Sequence, residues 1–165
     1  WKMTNECVSW FAAKENPDEI PKDSDYPMSG FHYNCYAPDK CSMELVEKQG
    51  YFTINNTDTV DKHLAMTFMA VSENHPDIHY PKVQIDFIGN GAKLGISAVA
   101  DTITRHKAYI GKMVHVVKLL NLGKLPPGLT QLQFTSLNPE QPNPFRFVSY
   151  LLTERRAVFR GAVTE

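Results

Sequence analysis

The chain has 165 residues, with 17 Lys and Arg against 18 Asp and Glu and a formal net charge of −1. A chain of this length fits one domain that hides about two thirds of its unfolded surface. A near-zero charge offers no field to gather nucleic acid, acidic substrates or an anionic membrane. At 21% charged and 42% hydrophobic residues the composition lies far from that of disordered segments, and no run approaches the roughly 18 apolar residues of a membrane-spanning helix.

The chain begins with Trp1 rather than Met, which fits either a trimmed chain or a mature form whose signal peptide is gone. Thr4 is placed to cap a short helix over residues 4–14, with Cys7, Val8, Trp10 and Phe11 on its apolar side. Over residues 15–30 the composition shifts to Pro17, Pro21 and Pro27 among aspartates, an irregular surface segment. Cys35 and Cys41 flank a short turn and are spaced for a disulfide, which points to an oxidising, extracytoplasmic compartment. Cys7 is left over and is an alternative partner for either, and the competing reading keeps all three reduced as buried small hydrophobes. Asn55-Asn56-Thr57 fits the N-glycosylation pattern, a motif too short to carry weight.

Residues 43–55 read as a strand or a tight hairpin turning at Gly50. Residues 64–72 are apolar on both faces, as in a covered central strand, and residues 82–88 alternate cleanly. Gly89-Asn90-Gly91 then interrupts, and Ile96, Val99, Ile103, His106, Ile110, Met113, Val117 and Leu120 recur at steps of three and four. That spacing predicts a long amphipathic helix opening at Asn90 and stopping before Gly123, Pro126 and Pro127. Gly111 weakens it, and a competing reading makes 112–120 a strand, because Met113, His115, Val117 and Leu119 also alternate. Leu132 and Phe134 alternate with Gln131, Gln133 and Thr135, residues 138–144 form a proline-bound loop, and residues 145–152 and 157–163 read as a closing hairpin.

The expected fold is therefore α+β: a mainly antiparallel sheet of about five to seven strands packed on one long helix, with a short N-terminal helix. Residues 1–165 form one domain, in which 1–41 hold the helix and cysteine loop and 42–165 the core.

The glycine turn carries the one hint of a ligand. A helix opening after Gly89, Asn90 and Gly91, with Lys93 nearby, would present free N–H groups to a phosphate or small molecule. Its G-x-G-x-x-x-G spacing misses the dinucleotide fingerprint, and no Walker Lys-Ser/Thr pair follows. His75, Asp77 and His79 alternate and would project to one side of an extended segment, a weak metal motif without an evident third strong ligand; a polar connection is the simpler reading. No cofactor is implied, and no catalytic group is assigned. Arg146, Tyr150, Arg155, Arg156 and Arg160 make the C-terminal hairpin basic and aromatic; the simplest reading is a solvated sheet face, and the same composition suits a protein-binding hot spot rather than a nucleic-acid face. The leading expectation is a noncatalytic, secreted or periplasmic domain that binds another protein, and the alternative is a small-molecule or phosphate binder, or an enzyme, using the glycine turn.

Overall fold

The computed structural model describes residues 7–11, 28–37, 40–109, 112 and 114–155, with only the backbone course given for 7–11. Its elements are strands: β1 (Cys7–Phe11), β2 (Phe31–Ala37), β3 (Lys40–Leu45), β4 (Gln49–Asn56), β5 (Lys62–Ser72), β6 (Val83–Gly89), β7 (Ala92–Ala100), β8 (Ile103–Thr104), β9 (His115–Leu125), β10 (Gly128–Ser136) and β11 (Phe145–Thr153). Among the described residues the one helical piece is a single 3-10 turn at Lys107–Tyr109, and no helix is long and apolar enough to cross a membrane. The α+β expectation is corrected to a β-sandwich of two sheets.

In the larger, seven-stranded sheet, β11 and β5 are the central pair. The first half of β11 pairs with β3 and its second half with β1, so these two strands share one edge, and β2 extends the sheet beyond β3. On the other side β5 pairs along almost its whole length with β9, and at its end runs parallel to β8. The smaller sheet is antiparallel throughout, in the order β4-β10-β6-β7.

Period-two alternation decides which side chains meet between the sheets. Phe52 and Ile54 of β4, Leu132 and Phe134 of β10, and Val83, Ile85 and Phe87 of β6 face Met43, Leu64, Met66, Phe68, Phe145 and Phe147 across one core. β5 is central, as its apolar run implies: Leu64, Met66 and Phe68 enter the core, while Ala65 packs with Leu119 and Leu151 on the outer side.

Two expected helices are overturned. Residues 7–11 form β1 on β11, while the rest of the proposed 4–14 helix lies outside the described residues. The proposed long helix is β7, β8, the 3-10 turn and β9, with Ile110, Gly111 and Met113 outside the described residues. Its stripe is not one face: Ile96 packs against the core, Val99 is exposed, Val117 lies opposite Met69, and Leu120 returns to the core. Residues from three strands and the segment joining them fall at helical spacing, and the β-branched run Val114, Val116, Val117 belongs where such side chains pack well, on a pleated surface. The competing strand reading of 112–120 matches β9 from His115 onward.

The glycine turn is the plainest correction. Gly89 pairs with Ala92, leaving Asn90 and Gly91 as a two-residue connection, and both have positive φ, 50° and 75°. Asn-Gly with two left-handed residues is the type I′ turn, whose twist matches the strands it joins. The glycine signal thus marks a β-hairpin between β6 and β7 and not the start of a helix.

The turn makes a sign prediction. In the first turn of a helix Gly91→Ala would gain about 1 kcal/mol, whereas in the left-handed position it loses about 1 kcal/mol. Gly30 is held more tightly, because at φ 78° an added Cβ would lie 2.4 Å from the Gln49 carbonyl oxygen. Urea unfolding is expected to rank Gly30→Ala as the more destabilising and Gly91→Ala as mildly destabilising. A stabilised Gly91→Ala contradicts the hairpin.

Candidate functional site

The residues singled out in the sequence scatter. Cys35 and Cys41 do form a disulfide, directly across the β2–β3 pair. Gly89, Asn90 and Gly91 close the hairpin, and Lys93 points to Asp86 at 3.6 Å, so no helix N-terminus exists there to hold an anion. His75 turns its Nδ1 toward the backbone N–H groups of Asp77 and Ile78 at 3.3 and 3.1 Å, while Asp77 and His79 are exposed. Among the described residues no three His, Cys, Asp or Glu side chains gather as a metal site.

The C-terminal cluster also separates. Tyr150 packs on the core, 6.2 Å from Phe52, and its burial raises the phenol pKa. Arg146 lies on the opposite, outer face of the same strand, and Arg155 stands exposed beyond the far end of β11, about 30 Å from Arg146 along an extended chain. Arg156 and Arg160, with the proposed last strand, lie outside the described residues.

Arg146 is instead the centre of a polar network over β2, β3 and β11. Its Nε lies 3.4 Å from Glu44 Oε1, an ion pair by distance without hydrogen-bond geometry, and its Nη1 donates to the Tyr80 hydroxyl at 3.1 Å. The guanidinium sits 4.0 Å from the ring centre of Tyr36 and 5.1 Å from that of Tyr80. Glu44 also accepts from the Tyr36 hydroxyl at 2.6 Å and from Asn34 Nδ2 at 3.1 Å. Partial burial, with the Glu44 bond, pushes the Tyr36 phenol up to about 12. The Tyr80 hydroxyl lies 3.4 Å from His115 Nδ1. Burial, together with nearby His75 and Arg146, holds that imidazole below its ordinary value.

A second surface was not picked out from the sequence. On the outer face of the smaller sheet the registers place Gln49, Thr135, Gln84 and the exposed Val99 in one row, Tyr51, Gln133, Asp86 and Ser97 in the next, and Thr53, Gln131, Ile88 and Lys93 in a third, so that the amides and hydroxyls concentrate on β4, β10 and β6. Neighbouring rows are about 7 Å apart and the four strands span about 14 Å. A chain of long hydrogen bonds runs from Gln133 Nε2 to Tyr51 OH (3.3 Å), from that hydroxyl to Gln49 Oε1 (3.3 Å), and from Gln49 Nε2 to Thr135 Oγ1 (3.4 Å). The two charges in these rows, Asp86 and Lys93, are paired with each other. The face is thus an ordered array of amides and hydroxyls, each able to donate and accept, with no net charge. Its signal in the sequence is the alternation of 131–135, where Gln131, Gln133 and Thr135 fall opposite to Leu132 and Phe134.

One residue further along β10, and just before β4, a pocket of about 300 Å³ opens between the loops, lined by Lys48, Ser136, Asn138, Gln141 and Asn143 together with several prolines. Ser136 Oγ is buried there without a hydrogen-bond partner.

No protein-family model matches the chain, and no curated protein matches it in sequence. Solved structures do match in fold. A two-domain esterase (CEX) active on acetylated mannans superposes with a TM-score of 0.57 at 12% identity, over 92% of this chain and 37% of the other. The same kind of esterase co-crystallised with mannopentaose gives 0.52 at 14% identity, over 93% and 38%. A GH26-CBM35 β-(1,4)-mannanase of Podospora anserina gives 0.50 at 11% identity, over 95% and 29%. The chain therefore spans well under half the length of each, and the likeness is one of fold.

Two outcomes follow from the Arg146 network. Arg146→Ala leaves the Glu44 carboxylate, whose side chain is 10% exposed, without its cation, and is expected to cost about 3 kcal/mol in urea unfolding. A loss below about 0.5 kcal/mol, typical of an unsupported surface residue, contradicts the structural role. His115 titrates lower in the folded chain than its ordinary 6.5, so below that pH the unfolded chain binds more protons. Stability should fall as pH drops from 6.5 through the folded value, then level off. His115→Gln should flatten this slope in melting temperatures measured across that range.

Proposed function

We propose that the chain is a noncatalytic module that binds a neutral polysaccharide on the outer face of the four-stranded sheet, in place of the protein partner expected from the sequence. The observation that carries this reading is the uncharged array of Gln49, Tyr51, Gln84, Gln131, Gln133 and Thr135 across three adjacent strands. Sugar hydroxyls each donate and accept, and amides placed in rows answer them in both senses. Bonds already longer than typical, at 3.3 to 3.4 Å, are readily exchanged for ligand hydroxyls. The Tyr51 ring supplies an apolar surface beside them.

The fold likeness supports the reading from another side. The matched proteins are named for mannans, one name joins GH26 to CBM35, and this chain corresponds to 29–38% of their lengths, the share of one module among others. Mannan is therefore the first probe. The disulfide supports an extracytoplasmic setting, where polysaccharides of this kind lie.

Native affinity electrophoresis through gels containing soluble neutral mannan, galactan or xylan tests this. Retardation is expected with at least one of them, nearly independent of salt because the array is uncharged, and not with polygalacturonate. Replacing Tyr51 and Gln133 together by Ala, at outward positions, should weaken retention about tenfold, equivalent to 1.4 kcal/mol. Undiminished retention by the double variant removes the sheet face as the site.

A further inference from the structure

We infer that Tyr36 forms a second sugar-stacking platform on the outer face of the seven-stranded sheet, so that one chain bridges two glycan strands. This rests on the neutral-glycan reading for the class of ligand, but on different residues and the opposite sheet. Tyr36 is 53% exposed, and large exposed aromatics on soluble proteins are ordinarily mobile side chains. This one is held. Its hydroxyl donates to Glu44 at 2.6 Å, and the Arg146 guanidinium lies 4.0 Å from the ring centre. Its backbone is the residue after Cys35 within the loop that the Cys35–Cys41 disulfide closes.

With the guanidinium against one ring face, the exposure belongs to the remainder of the ring. Holding a ring in its bound position before the ligand arrives removes the ordering cost that weakens flexible contacts. The chemistry of the occupant follows from the charges beneath it. Arg146, whose side chain is 15% exposed, is paired to Glu44 and donates to Tyr80, so the platform presents no uncompensated cation to a phosphate or a carboxylate. What remains is an apolar ring face bordered by the Asn34 amide, which suits the C–H face and hydroxyl edge of a neutral pyranose. The two outer faces lie on opposite sides of the sandwich, separated by two sheets about 10 Å apart. Because the two faces point in opposite directions, one short oligosaccharide cannot lie against both, and two bound chains are cross-linked with the avidity of linked sites.

Titration of the isotopically labelled chain with mannopentaose, followed by amide NMR, distinguishes the cases. Two separate groups of shifting amides are expected, one over residues 34–37 and 42–44 and one over residues 49–53 and 131–135, each with its own isotherm. Tyr36→Ala should weaken the first isotherm about tenfold and leave the second in place. Tyr36→Phe keeps the ring and should retain both, and the Tyr51/Gln133 double Ala variant should lose only the second. If residues 34–44 do not shift while the smaller sheet does, the inference is overturned and the proposed function stands. If only residues 34–44 shift, the platform stands and the smaller sheet is not a site. If neither group shifts with mannopentaose, xylopentaose or cellopentaose, both fall. Because shifts are read on the wild-type chain, the result does not depend on the variants folding.

Discussion

Phe52 of β4 stacks on Phe134 of β10 and, across the gap between the sheets, on Phe147 of β11, with ring centres 5.1 and 5.2 Å apart. Phe31, Phe145 and Tyr150 close around them. Each buried aromatic contributes on the order of 2 kcal/mol from area alone. More important is the constraint it imposes. Once Phe52 and Phe134 face inward, strand geometry sends Tyr51, Thr53, Gln133 and Thr135 outward, and a one-residue slip would bury the amides and expose the rings. The amide rows and the core are two consequences of one register.

The same logic on the other sheet produces a different surface. Cys41, Met43 and Leu45 of β3 enter the core, which turns Glu44 outward beneath Arg146. A largely buried carboxylate and guanidinium are tolerable only when paired and hydrogen-bonded, and here Asn34, Tyr36 and Tyr80 complete that pairing. Arg146, whose charge and neighbours in the sequence suggested a partner-binding hot spot, is thereby a support for aromatic side chains. Tyr36 and Tyr80 become fixed because the ion pair needs them. At the far end of the sandwich Lys62 does comparable work, with its ammonium 2.8 Å from Asp58 and 3.2 Å from Glu154, tying the β4–β5 connection to the end of β11.

Several features were legible without coordinates. The Cys35–Cys41 pairing follows from a short turn between two cysteines. The centrality of β5 follows from its two apolar faces, and the inward Phe145 and Phe147 from alternation. The helix was misread because hydrophobic spacing was counted across an interruption. β7 and β9 belong to different sheets, yet their apolar residues and those of the loop between them fall by chance at steps of three and four. Asn90-Gly91 carried the stronger signal, since it is a hairpin turn in its own right, and it was outweighed by the length of the stripe. The amide rows are not encoded locally, because a polar position looks the same in sequence whether it faces bare solvent or lines up with others across the sheet.

By itself, the sequence determined the alternation of residues 82–88 and 131–135, the buried run of β5, the spacing of the Cys35–Cys41 pair and the near-zero net charge, all of which can be read from composition or from residues close together in the chain. Only the tertiary structure decided that Gln49, Gln84 and Gln133 share a face, that Arg146 and Tyr150 part to opposite sides of β11, and that Tyr36 lies on Arg146. The residues that meet, the three glutamines and the Tyr36–Arg146 pair, are 35 to 110 residues apart in the chain, and their meeting is set by strand pairing and core packing, which no local pattern encodes; Arg146 and Tyr150 part at the irregularity between Phe147 and Ser149.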